Sequence, residues 1–135
     1  MSERFLIRLA ALAGASGVLI GAFGAHGLPD FLGDAGLDAE KIQKRLAQFE
    51  TAAKYHLVHA VAILATAALK VSRPKLQRLV GILFGVGILL FSGSLYLLVV
   101  TDTPKLGAIT PLGGATWIVA WTLLLFSVGG DRSRT

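Results

Sequence analysis

Four stretches of this chain run almost free of charge: Phe5 to Ala25, broken only by Arg8; Tyr55 to Leu69; Leu79 to Thr101; and Leu106 to Gly130. None shows the strict alternation of a barrel strand, and only helices or closed barrels satisfy every backbone group in lipid. The pattern predicts an all-α fold, an integral membrane four-helix bundle in a single domain over 1–135, with spans near 5–27, 52–70, 79–101 and 110–129. A hydrocarbon core of about 30 Å takes roughly 20 helical residues. The second run is short for that, and crosses if Lys54 and Lys70 extend their stems toward the headgroups and Thr51 to Ala53 add a turn.

Between the first two runs, Pro29 to Leu37 is rich in Gly, Asp and Pro and is predicted to be a loop. Asp38 then reads as an N-cap, with Leu37 and Ile42 spaced as a hydrophobic staple. From Ala39 to Val71 there is neither glycine nor proline, which predicts one long helix or two nearly collinear ones. Its first part, "AEKIQKRLAQFETAAK", puts Ile42, Leu46, Phe49 and Ala53 on one stripe, so an amphipathic outer segment leads into the second span, lying on the membrane surface or over the bundle mouth. Glu50 and Lys54 form an ordinary solvated i,i+4 pair. Thr110 followed by Pro111 is a helix start, a hydroxyl cap and then a proline at the first helical position.

Composition agrees with the pattern: 54% of the 135 residues are hydrophobic and 16% charged, too apolar for a soluble domain of this length. The net charge of +5 is an orientation signal. Lys70, Arg73, Lys75 and Arg78 share a connection without acids, while Arg4, Arg8, Arg132 and Arg134 flank the outermost spans. By the positive-inside tendency all three groups face the cytoplasm, which requires four crossings and both termini inside. Asp30, Asp34, Asp38, Glu40, Glu50 and Asp102 then fall outside. This distribution suits anionic membrane lipid as a partner and excludes nucleic acid. The absence of cysteine excludes disulfides, thiolate metal sites and thiol nucleophiles. The first run is expected to be a retained helix, since it is long for a signal peptide although Ala22-Phe23-Gly24 would pass as a cleavage site.

Gly14, Gly17, Gly21 and Gly24 lie on one face of the first helix, and Gly17-x-x-x-Gly21 has the spacing that lets helices approach closely in lipid. Gly81-x-x-x-Gly85 repeats it in the third span. Such faces serve packing within the bundle or a homo-oligomer, and Trp117 and Trp121 are expected to fill space beside one. His26, His56, His59, Ser92, Tyr96 and Thr110 all fall toward the outer end and form the candidate polar cluster. Three roles are open to it: a satisfied hydrogen-bond network, a proton- or ligand-handling site, or haem or metal ligation through His56-x-x-His59.

"GAFGAHGL" from Gly21, "YHLVHA" from Tyr55, "LFSGSLY" from Leu90 and "TPLGG" from Thr110 together resemble the YgdD-like family of small bacterial inner-membrane proteins, a domain of unknown function (423) with eukaryotic transmembrane-protein-256-like relatives. The resemblance spans nearly the whole chain. It implies a four-helix inner-membrane protein of unassigned activity, and marks Gly21, Gly24, His26, His59, Ser92, Gly93, Tyr96, Thr110, Pro111 and Gly113 here. It implies variation at His56 and from Asp30 to Lys54, which weakens the two-histidine metal reading.

No nucleophile–base pair, phosphate loop or nucleotide motif is present, so the expectation is a non-enzyme without cofactor that packs, assembles or binds a small ligand or lipid. The alternatives are a small oligomeric transporter or channel using the histidine, tyrosine, serine and threonine cluster, and a haem- or metal-binding redox protein.

Overall fold

The computed structural model describes residues 2–69 and 73–127. Lys70, Arg132 and Arg134, which carry part of the orientation argument, and the ends of the second and fourth predicted spans lie outside the described residues. The chain forms α1 (Ser2–His26), α2 (Leu28–Asp34), α3 (Ala39–Ala68) and α4 (Pro74–Gly87). A π-helical stretch, Ile88–Gly93, joins α4 to α5 (Ser94–Thr101), and a 3₁₀ turn, Pro104–Ala108, leads into α6 (Thr110–Ser127). Among the described residues, three helical rods are long and apolar enough to cross a membrane: Glu3–His26, Pro74–Thr101 and Pro104–Ser127.

Helix α3 shows why the second predicted span is less apolar than the others. It is one unbroken helix of 30 residues, about 45 Å long at 1.5 Å per residue. Its first half carries the charges. Asp38 caps it, accepting the Lys41 backbone N–H at 2.8 Å, and Leu37 and Ile42 both pack against the apolar cluster around Leu28, Leu32 and Phe49. The segment predicted as a loop instead contains α2. Pro29 supplies the fixed φ of a first helical turn, and Leu28 and Leu32, one turn apart, are both fully buried. That burial is worth roughly 1.5–3 kcal/mol per leucine and outweighs the turn-forming composition. Gly36, at φ +79°, then ends the segment.

The rods do not close a square. In its most apolar 18-residue stretch the Pro74–Thr101 rod has 44% of its residues buried, against 17% in the corresponding stretches of Glu3–His26 and Pro104–Ser127, so it is the central member. Helix α1 packs chiefly along α3, and α6 chiefly on α4 and the π stretch. One apolar cluster holds Leu6, Ile63, Val80, Phe84 and Trp117; a second, nearer the α2 end, holds Leu28, Leu32, Phe49, Leu95 and Val99.

Glycine is where large side chains from a neighbouring helix enter. A Cβ on Gly17 would stand 2.7 Å from Leu57 Cδ2, and one on Gly24 would meet the Phe49 ring. Gly81 receives Leu6, and Gly87 receives the Trp117 indole. Gly113 sits against the backbone of Phe91 within the π stretch. The predicted glycine face of α1 is thus divided. Gly17 and Gly24 meet α3, while nothing lies within 4 Å of a Cβ on Gly14 or Gly21. Both members of the central rod's predicted pair are met from α1, Gly81 by Leu6 and Gly85 by Leu9, which a Cβ would approach to 3.3 Å; a Cβ on Gly93 would have only the Ile88 carbonyl, at 3.9 Å. Trp117 does fill space beside a glycine, and its Nε1–H donates to the Phe84 carbonyl at 3.1 Å.

At the basic end, Gln77 is buried and donates through Nε2 to the Thr66 and Leu69 carbonyls, at 2.7 and 2.9 Å. It satisfies carbonyls that the end of α3 leaves open. Arg78 stands 5.1 Å over the Phe5 ring.

The two kinds of glycine give contrasting expectations. Gly113→Val drives a side chain into the Phe91 backbone and is expected to lower stability by about 1–3 kcal/mol or more, whereas Gly14→Ala stays within about 0.5 kcal/mol. Detergent-solubilised protein unfolded by heat or SDS measures both, and equal effects at the two positions would contradict this packing.

Candidate functional site

Of the six predicted polar residues, the structure ties one pair directly. His56 Nδ1 and Tyr96 Oη lie 3.0 Å apart, joining α3 to α5. On the other side of the ring, His56 Nε2 is 3.4 Å from Ser16 Oγ of α1. With the Ser16 hydroxyl directed at the nearer Leu12 carbonyl, at 2.8 Å, the assignment that pairs every group places the imidazole hydrogen on Nε2 and has the Tyr96 hydroxyl donate to Nδ1. His56 is thus a neutral bridge linking three helices.

His59 has a different task. Its Nδ1–H donates to the Tyr55 carbonyl at 2.8 Å, and its Nε2 accepts the Trp121 indole N–H at 3.3 Å. The ring lies parallel to Trp117 with centroids 3.7 Å apart. Both nitrogens are used, and the tautomer is fixed by a carbonyl on one side and an N–H on the other. His56 and His59 therefore address different partners and do not present two nitrogens to one ion.

The remaining residues stand elsewhere. Ser92 is fully buried and donates to the Ala52 carbonyl at 2.7 Å, tying the π stretch to α3. Thr110, expected to cap α6, pairs instead with Ser94 Oγ at 2.8 Å. The Ser94 hydrogen is used on the Phe91 carbonyl at 2.9 Å, so Thr110 is the donor. His26 is exposed at the end of α1, apart from the hydrogen bonds of His56 and Tyr96. The chain turns directly from it into α2, whose Leu28 takes the buried place. A shared depth along the bundle is not a shared site.

What His56 and Tyr96 border is a groove of about 580 Å³ between α1 and the central rod. Leu9, Leu12 and Ile20 form one wall, and Ile82, Val86 and Leu89 the other. Leu12 and Leu89 are more than 70% exposed at its lips, so it opens sideways toward whatever surrounds the helices. Gly85 and Gly93 keep the central rod's side of it wide.

Comparison with known proteins finds relatives named as membrane proteins, in keeping with the three apolar rods. The family model described as "Protein of unknown function (DUF423)" matches residues 20–114, which include all six residues of the predicted polar cluster but not Ser16, Trp117 or Trp121. The chain belongs to this family. The UPF0382 membrane protein YwdK of Bacillus subtilis is 40% identical over 124 residues, covering 90% of this chain and 94% of its own. A UPF0382 membrane protein of Haemophilus influenzae is 36% identical over 100% of this chain and 99% of its own. The UPF0382 inner membrane protein YgdD of Escherichia coli is 32% identical over 99% of this chain and 95% of its own. No solved structure matches.

In this DUF423 member the start of α3 and the end of α5 are held together by a contact that the sequence did not announce. Arg45 of α3 is buried, donating through Nε and Nη2 to Asp102 Oδ1 at 2.9 and 2.6 Å and through Nη1 to Gln48 Oε1 at 2.9 Å. Lys41 Nζ meets Asp102 Oδ2 at 2.7 Å. Asp102 ends α5 in the left-handed region at φ 48°, which aspartate tolerates better than most residues. A single acid between two basic residues 57 and 61 positions away leaves no local spacing to read. Hydrogen bonds from Lys41, then Arg45, hold the Asp102 carboxyl below its ordinary range.

A carboxylate with a lowered folded-state pKa stabilises the fold above its unfolded pKa, and that contribution is lost as pH falls through the folded one. The Asp102 contribution is expected to be constant from neutrality to about pH 5 and to decline in stronger acid. Asp102→Asn should lower stability at neutral pH and converge with wild type in acid. Protease-resistance curves between pH 7 and 3 check this, and parallel curves for the two proteins would refute it.

Proposed function

We propose that this protein is a four-span inner-membrane protein with both termini cytoplasmic, and that it acts without catalysis by holding a membrane amphiphile in the groove between α1 and the central rod. Support for the topology comes from charge. Arg4, Arg8, Arg73, Lys75 and Arg78 gather where α1 begins and α4 starts, while Asp30, Asp34 and Asp102 gather at the opposite ends. The apolar half of α3 supplies the second span, with Lys54 reaching back toward the outer headgroups.

The observation that carries the functional reading is the groove itself. Its volume lies within the range of small-molecule sites, its walls are aliphatic, and its polar groups are confined to His56, Tyr96 and Ser16. Intramembrane polar groups beside a cavity are functional-site candidates. Each of the other buried polar side chains named above has its partners inside the protein, so the groove is where hydrogen-bonding capacity adjoins open apolar space.

Two measurements test this. Single cysteines replacing Ala35 or Lys105 in this cysteine-free chain should react with a membrane-impermeant maleimide in intact cells, and those replacing Arg4 or Lys75 only after lysis. Inverse labelling at any of them overturns the topology. For the groove, native mass spectrometry of protein extracted in mild detergent should show one lipid bound per chain, lost in Gly93→Leu, which fills the groove from a position with open space. Lipid-free wild type, or an identical adduct in both proteins, overturns the binding reading.

A further inference from the structure

Resting on that groove reading, we propose that its occupant is an uncharged, single-chain lipid ending in a hydroxyl, an alkyl or isoprenoid alcohol whose O–H donates to Tyr96 Oη.

Depth fixes the charge of the ligand. Tyr96 lies six residues before Asp102, at which α5 ends, so its position is about 9 Å below the outer rim by helical rise. A charged headgroup held there would be buried in hydrocarbon at heavy cost unless a counter-charge met it. No lysine, arginine, aspartate or glutamate lines the groove. Lys41 and Arg45, at the same end of the helices, are already bound to Asp102. A phosphate or carboxylate therefore has no partner at the polar end, and a neutral group needs none.

Hydrogen-bond direction fixes the kind of neutral group. The Ser16 hydrogen goes to Leu12, the His56 Nε2–H faces Ser16, and the Tyr96 hydrogen goes to His56 Nδ1. Every donor of this Ser16–His56–Tyr96 relay is then used. What remains is acceptor capacity, on the Tyr96 oxygen at the end of the relay and on Ser16 Oγ, since a hydroxyl oxygen both donates and accepts. A ligand that donates, an alcohol, fits the network as it stands. One that only accepts, a ketone or ester, must first take the Tyr96 hydrogen from His56 and leave Nδ1 unpaired.

Width fixes the number of chains. About 580 Å³ between two aliphatic walls accommodates one chain along the helix axes; the two tails and headgroup of a phospholipid exceed it.

The test uses the full-length protein in phosphatidylcholine nanodiscs with four 16-carbon probes bearing the same mid-chain diazirine: hexadecanol, palmitate at pH 8, a methyl ketone and hexadecane. Photolabelling of residues 9–20 and 82–93 should be saturable for the alcohol, competed by unlabelled hexadecanol, and roughly threefold to tenfold more efficient than for the other three, the size of one net hydrogen bond. Tyr96→Phe keeps the ring beside Phe49, whose centroid is 4.9 Å away, and should bring the alcohol down to the hexadecane level without changing hexadecane labelling. If all probes label saturably and equally, or the palmitate or ketone probe labels best, the hydroxyl assignment is overturned while the groove reading survives. Failure of every probe to label these segments saturably overturns both. The wild-type comparison decides between these outcomes even if the Tyr96 variant does not fold.

Discussion

Hydrocarbon offers no hydrogen bonds, and the side-chain arrangement of this protein follows from that constraint. Among the described residues no buried side-chain nitrogen or oxygen lacks a partner. Several of those partners are backbone carbonyls on another helix or turn. Ser92 uses Ala52, Trp117 uses Phe84, and Gln77 uses Thr66 and Leu69. Each such bond fixes rotation and translation between two elements, which apolar contact alone does poorly in lipid, because lipid tails compete equally well for a leucine. The polar residues of this chain are register pins before they are anything else.

Close approach comes from glycine. Gly17, Gly24, Gly81 and Gly87 each accept a larger side chain from a neighbouring helix. Gly113 goes further and touches the backbone of the π stretch. That stretch is the least regular part of the central rod, and three pins gather on it: Ser92 to Ala52, Ser94 to Phe91, and Thr110 to Ser94. A π stretch interrupts the regular ladder of an α-helix and is rare, and these bonds tie it to the elements around it.

The all-helical fold and three of the membrane-length rods were legible in the sequence because length and hydropathy are local quantities. So was the Asp38 cap, whose geometry involves only four consecutive residues. Helix α2 was not, because its glycine, aspartates and proline speak for a turn while its burial depends on Leu95, Leu98 and Val99, far along the chain. The glycine face of α1 was visible as a stripe, but which glycines are filled depends on where Leu57 and Phe49 fall on α3. Gly87 was overlooked because it belongs to no small-x-x-x-small pair. The histidines were grouped by depth, and depth says nothing of azimuth. Three residues apart on a helix, His56 and His59 point about 60° away from each other. That angle sends one toward Tyr96 and Ser16 and the other toward the tryptophans.

The same angle separates structure from function. His59 stacks on Trp117 with both nitrogens bonded, so any ligand reaching it must first break the core. His56 is equally buried, yet the phenol it holds borders open space. Its contribution is to keep the Tyr96 hydroxyl pointed inward and leave the oxygen's remaining lone pair for something else. A tyrosine in lipid without such a partner would use its own hydrogen on the first acceptor available. With His56 fixed by α1 and α3, the groove is left wanting a donor, and its aliphatic walls determine what the rest of that molecule must be.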